Sequence, residues 1–195
     1  PGIQVVLLYP KGKVSQIQEK TLSTFDGNVH ALEVEGTFDD CQRLVKSAFN
    51  DEELREKLAL TSANSINIAR FLPQSIYYFK AWGVLNPAPD KRLCMAVPSG
   101  NYGNLTGGLI AARMGLPVHF FVAASNANKV VPDYLESGSF RPRASVRTLS
   151  NAMDVGDPSN FIRIRELFGD DHAQIKKHLK GFTATDEQTL QTMRE

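Results

Sequence analysis

The stretch Ser99-Gly100-Asn101-Tyr102-Gly103-Asn104 has the residue types needed to hold an anion. It follows an apolar run, Leu93 to Val97, that reads as a strand, and it leads into a helix-like run from Leu105 to Met114. A chain that leaves a strand through glycine and enters a helix presents unpaired N–H groups at the helix start. The macrodipole adds partial positive charge there, and the combination suits a phosphate. Gly100 and Gly103 are expected to bring the backbone close to the anion and to take positive φ. Asn101 and Asn104 tolerate left-handed backbone and can cap. The stretch lacks the lysine of a nucleotide P-loop and does not match G-x-G-x-x-G. The expected ligand is therefore one phosphate monoester, without a metal. The alternative is a tight turn with a Gly-Gly packing contact.

Two further polar stretches are candidates for a site. In 64–70, Asn64, Ser65 and Arg70 lie near the entry of a helix. Arg70 can hold a phosphate with its planar fork, and Asn64 and Ser65 add neutral donors. As a plain helix start, Asn64 or Ser65 caps and Arg70 faces solvent. Asn67 lies between them and orients the turn. The second stretch, Ser150 to Phe161, is a long polar loop with small residues at its start. Asp154 in it is read as bonding local backbone rather than as a base. His30, His119, His172 and His178 have no metal-ligand spacing. Lys11 and Lys13 read as a solvated turn.

These groups need a scaffold, and the pattern supplies alternating strands and helices. Ile3 to Tyr9 and Val29 to Val34 read as strands of a parallel sheet. Ser15 with Gln18, and Thr37 with Asp40, are capping-box starts. Phe38, Cys41, Leu44, Val45 and Ala48 share one helical face, and Asn50 begins a charged helix to Leu60. A helix with Leu72, Ile76, Phe79 and Gly83 on one stripe follows, kinked at Pro73. Beyond Met114 come a strand, Val118 to Ala124, an extended piece at Ser145 to Leu149, and short helices near Asp133, Phe161, Ala173 and Asp186. The fold class is α/β with a mostly parallel sheet. The composition break at Leu60 to Asn64 marks a subdomain boundary, between 1–60 and 61–195.

The 195 residues carry 22 basic and 21 acidic side chains, interspersed, and 42% apolar residues. No basic stripe points to nucleic acid. No apolar run approaches the roughly 20 residues of a membrane-spanning helix. Cys41 and Cys94, isolated and without metal spacing, read as buried thiols in a reducing compartment, which makes the expected location cytoplasmic. The chain opens on Pro1-Gly2 and closes on a helix without a cap, the expected look of an internal piece of a longer protein.

The run 98–118, with 9–20, 61–70 and 148–161, resembles the threonine synthases among the fold type II (tryptophan synthase β-like) pyridoxal-phosphate enzymes. The four blocks stand in that family's order and are spread over most of the chain, from 9 to 161. The resemblance implies a three-layer α/β fold. It implies a lyase that converts O-phospho-L-homoserine and water to L-threonine and phosphate with pyridoxal 5'-phosphate. It implies cofactor contacts from Gly100, Asn101, Tyr102, Gly103, Asn104, Ala152 and Met153, and substrate-phosphate contacts from Asn64, Ser65 and Arg70. Tyr102 either touches the cofactor or only packs. Residues 1–60 would be part of the small mobile subdomain and 61–195 part of the cofactor-phosphate domain. The family's Schiff-base lysine follows an aromatic residue upstream of the strand–helix unit seen here. Lys80, which mimics that pair inside a later helix, is rejected, so no catalytic residue is expected in this chain and the chain alone is expected to be inactive. The alternatives are another fold type II enzyme, such as a threonine dehydratase or cysteine synthase, or a non-catalytic module that binds a phosphate ligand.

Overall fold

The computed structural model describes residues 2–64 and 67–195. It divides into two compact units, Pro1–Thr61 and Ser62–Glu195. In the first, β1 (Val5–Pro10) pairs in parallel with β2 (Val29–Val34), and α1 (Gln16–Ser23) connects them. Parallel neighbours require such a crossover. The expected capping boxes form reciprocally, Ser15 with Gln18 before α1 and Thr37 with Asp40 before α2 (Phe38–Asn50). Each satisfies two otherwise orphaned helix donors. The next helix, α3 (Glu52–Lys57), starts on Asp51, whose carboxylate accepts from the Leu54 amide; Asn50 instead ends α2. Cys41 and Gln42 form the buried part of α2, while Phe38 and Leu44 are exposed. Lys11 does lie in a solvated turn, paired with Glu35 at 2.6 Å.

The second unit holds a parallel sheet in the order β3 (Leu93–Pro98), β4 (Val118–Ser125), β5 (Leu179–Thr183). Before it come α4 (Ile68–Phe71) and α5 (Ser75–Leu85), separated at Pro73 rather than joined through a kink. The turn between them bonds 74–77 to residues three positions earlier, a spacing too tight to continue an α-helix. The stripe Leu72, Ile76, Phe79 is exposed, and Phe71 and Ser75 are buried in its place. The buried face turned because α6 (Gly103–Arg113) approaches so closely. A Cβ on Gly107 would stand 2.9 Å from the Phe71 carbonyl oxygen, and one on Gly108 would stand 2.7–2.8 Å from the rings of Phe121 and Tyr78. Glycine inside a helix costs about 1 kcal/mol relative to alanine. Here it permits close packing of α5 and β4 on α6.

After β4 come α7 (Val130–Ser137), a 3-10 turn (Asn151–Met153), α8 (Phe161–Leu167), α9 (His172–His178), and, beyond β5, α10 (Asp186–Arg194). The core gathers Leu105 and Leu109 of α6, Phe121 and Ala123 of β4, Val131 and Tyr134 of α7, Phe161 and Ile164 of α8, and Leu179 of β5. Each large apolar side chain fully buried there contributes about 1.5–3 kcal/mol. Cys41 is buried as expected, but Cys94 is exposed. It lies on β3, an edge strand of the described sheet, on the face it shares with the exposed Ala96. No helix of the described residues is long and apolar enough to cross a membrane.

Candidate functional site

The strand–loop–helix unit forms as its residues dictate. Ser99 extends β3 by donating its N–H to the Ala124 carbonyl at 2.9 Å, and α6 begins four residues later. Asn104 closes the loop. Its Oδ1 accepts from the Ser99 hydroxyl (2.7 Å) and the Leu105 amide (2.8 Å), and its Nδ2 donates to the Pro98 carbonyl (2.9 Å). The Tyr78 hydroxyl donates to the Asn104 carbonyl at 2.8 Å. Burial pushes the Tyr78 pKa up to about 12, so this donor keeps its proton throughout the neutral range. The Asn104 side chain therefore works as a clamp, and its amide N–H is the group left for an anion. Asn104→Ala strips partners from a buried turn and should cost about 1–3 kcal/mol, read as a lower urea midpoint.

The left-handed residue of the loop is Tyr102, at φ 62° and ψ 13°; neither Gly100 nor Gly103 takes positive φ. The expected reason for these two glycines is thus corrected. A non-glycine residue pays about 1–2 kcal/mol there. Tyr102 is held in place by its burial and by an edge-on contact with Phe161, ring centroids 6.0 Å apart. The Thr106 amide and hydroxyl both donate to its carbonyl, at 2.9 and 2.7 Å. Its ring belongs to the core, so of the two expected roles packing is the one observed. Its hydroxyl makes no hydrogen bond of good geometry among the described residues. Burial raises its pKa, opposed only in part by the nearby Ser125 hydroxyl.

Gly100 is glycine because another segment lies against it. A Cβ there would stand 2.8 Å from Met153 Cα and 3.2 Å from the Met153 carbonyl carbon and oxygen. The loop and the 3-10 turn, distant in sequence, are thus brought together at Gly100 and Met153. Ala152 next to it is exposed. Asn101 reaches the same neighbourhood from the other side, accepting from the Ser159 hydroxyl at 3.1 Å. The amides of Gly103 and Asn104, the first two of α6, donate to nothing among the described residues. Two aligned donors at the start of an 11-residue helix can bind a phosphate oxygen.

Near the second stretch, the helix cap is Asn67, whose Oδ1 accepts from the Ala69 amide and whose Nδ2 donates to the Ser62 carbonyl, both at 3.0 Å. This replaces the expected cap at Asn64 or Ser65. Asn64 is exposed and donates its amide to the Ser62 hydroxyl at 3.1 Å. Ser65 lies outside the described residues. Arg70 is in the last turn of α4, exposed, and makes no ion pair among the described residues. Its neighbour Phe71 packs on Gly107, one turn into α6. Lys80 is exposed in the middle of α5.

Sequence reasoning missed Ser99, Tyr78, Asn126, Asn128 and Thr148. Ser99 stood inside the quoted loop, and Asn-Ala-Asn directly after a strand was a readable turn signal. Tyr78 and Thr148 act across distances that no local pattern reveals.

No family model matches the chain. Threonine synthase from Serratia marcescens is 51% identical over 194 residues, covering 100% of this chain and 45% of the relative. The crystal structure of threonine synthase from Escherichia coli superposes with a TM-score of 0.91 at 49% identity, covering 100% of this chain and 45% of that one. A pyridoxal-phosphate-bound threonine synthase from Brucella melitensis gives a TM-score of 0.76 at 36% identity, over 95% of this chain and 45% of that one. The chain is a homologue of the threonine synthases along its whole length and has their α/β fold with parallel sheets. It spans about half the length of the relatives it matches.

Proposed function

We propose, on this similarity and on the free amides that open α6, that these residues are the phosphate-holding part of a pyridoxal-phosphate-dependent lyase. Its reaction is the conversion of O-phospho-L-homoserine and water to L-threonine and phosphate. Residues 1–60 are part of a small mobile subdomain and residues 61–195 part of the cofactor-phosphate domain. The observation that carries this reading is the pair of amides on Gly103 and Asn104 that donate to nothing among the described residues. They suit the cofactor phosphate, with Gly100, Asn101 and Tyr102 shaping the loop around it and Ala152 and Met153 bordering the ring. When bound, the cofactor supplies an electron sink for carbanion chemistry on the substrate. The chain's own contribution is binding and orientation, since proton transfer and covalent anchoring need a lysine that lies outside these residues. The exposed Lys80 is not that lysine.

Arg70, with Asn64 and Ser65, grips the substrate phosphate. That group departs as an anion, so a fixed guanidinium stabilises the charge as it develops. In the active protein, Arg70→Ala should cost about 2–3 kcal/mol in kcat/KM, the scale of a lost charged donor. Arg70→Lys should recover only part, because a point charge does not replace the fork. Unchanged kcat/KM in the alanine variant would remove Arg70 from the site.

The 195-residue chain alone is expected to release no phosphate from O-phosphohomoserine. Borohydride reduction in the presence of pyridoxal phosphate should spread label over exposed lysines such as Lys176 and Lys177. One stoichiometric label on a single lysine, together with turnover, would overturn the inactivity, and the rejection of Lys80 as well if that lysine is Lys80.

A further inference from the structure

The carboxylate of Asp154 has no part in the reading above, yet it is the most heavily bonded acidic group beside the loop. Its Oδ1 accepts from Asn126 Nδ2 at 2.7 Å, from the Thr148 hydroxyl at 2.8 Å and from Asn128 Nδ2 at 3.1 Å. Its Oδ2 accepts from the Thr148 amide at 3.0 Å. The donors are themselves held. Asn126 Oδ1 accepts from the Asn128 amide and Nδ2, at 2.9 and 3.0 Å. Asn128 exchanges two hydrogen bonds with the backbone of Val146, at 2.7 and 2.9 Å. Both asparagines are buried. The donors around this carboxylate are two side-chain amides, a hydroxyl and a backbone N–H, and the Thr148 amide and hydroxyl would lose their acceptor without it.

Two tethers leave the end of β4, two residues apart. At Ala124 the strand holds the start of the glycine loop, through the Ser99 amide. At Asn126, just past the strand, it holds Asp154. Asp154 is the residue after Met153, and Met153 is the backbone against Gly100. The 3-10 turn between them is short and internally bonded, Met153 N–H to Ser150 O and Asp154 N–H to Asn151 O, so it moves as one piece. The separation of Met153 from Gly100 is therefore set by where the Asp154 carboxylate is anchored.

We infer that Asp154 is a positioning residue: anchored on Asn126, Asn128 and Thr148, it holds Met153 against Gly100 and so gives the loop the shape that binds a phosphate. The inference rests on the reading of 99–104 as the phosphate loop. Asparagine at 154 keeps the size of the side chain but turns an N–H2 group toward donors. Valine at 148 keeps the shape of threonine and removes the hydroxyl that donates to Asp154.

The test uses the 195-residue chain, 15N-labelled, with pyridoxal 5'-phosphate and, separately, inorganic phosphate as probes. In the wild type, both probes should shift the amide signals of Gly103 and Asn104. In Asp154→Asn the dissociation constant for pyridoxal phosphate should rise about tenfold, and in Thr148→Val by a smaller factor. Without any probe, the Gly100 and Met153 signals should already be displaced in both variants while those of Phe121, Ala123 and Leu179 stay in place. A purely structural role predicts the opposite pattern, loss of the core signals with no selective change at Gly100. If the wild type binds and both variants bind equally well, the positioning role is overturned and the phosphate loop stands. If the wild type responds to neither probe, the phosphate reading falls and takes the positioning role with it.

Discussion

Gly156→Ala should unfold much of the second unit or leave it barely stable. A Cβ at this position would stand 1.8 Å from the Arg143 carbonyl oxygen, 2.7 Å from the Ser145 nitrogen and 3.0 Å from the Ala144 carbonyl carbon. All three are backbone atoms, so no side-chain rotation relieves the overlap. Gly156 is also paired with that segment, since its carbonyl accepts from the Arg143 amide at 3.1 Å. Pushing the two chains apart breaks that bond and pulls 143–148 away from Asn128 and Asp154, which hold it by the Val146 and Thr148 amides. Overpacking alone costs about 1–3 kcal/mol, and with the broken bonds added the total should exceed about 3 kcal/mol. Urea unfolding followed by circular dichroism measures it. A midpoint within error of the wild type would mean that 143–145 yields freely, contrary to the contacts described.

Gly100→Ala should abolish phosphate binding at a smaller cost in stability. The new methyl group would meet Met153 at 2.8 Å, again backbone. The neighbour here is one short turn whose residues are exposed or half-buried, so displacing it strains the Asp154 anchor without disturbing the core. The expected stability loss is about 1–2 kcal/mol, less than for Gly156. The loop would pay more than the fold, because the Gly103 and Asn104 amides serve an anion only while the chain before them keeps its path. Affinity for pyridoxal phosphate, read by equilibrium dialysis, should fall by about a hundredfold or more. Retained affinity in a folded variant would show that the anion is held without Gly100's close contact with Met153.

How legible was this molecule in its residues? The strands β1 to β4 and the helices around them follow from apolar runs and from caps such as Ser15 with Gln18, because those signals act within a few residues. Leu179–Thr183 was not legible as a strand. It is short, follows α9 directly, and contains Lys180 and Gly181, so only pairing with β4 makes it one. The helix cap at Asn67 was missed for a related reason. Asn64, Ser65 and Asn67 are equally good caps by type, and the Asn67 bond to the Ser62 carbonyl selects among them.

The sequence by itself determined that a strand, a glycine-and-asparagine loop and a helix succeed one another at 93–113, and that the helix would open with donors facing no partner within it. The order of elements and the lack of intrahelical partners for the first N–H groups belong to local backbone chemistry; that no other described segment pairs the Gly103 and Asn104 amides was decided by the tertiary structure. Only the tertiary structure decided what each loop residue does. Tyr102 took the left-handed conformation expected of the glycines because the core holds its ring against Phe161. Gly100 was required by Met153, more than fifty positions away, and Gly107 and Gly108 by the carbonyl of Phe71 and the rings of Tyr78 and Phe121. Close approach is a relation between two segments, and a pattern along one chain direction holds no record of which segment will arrive.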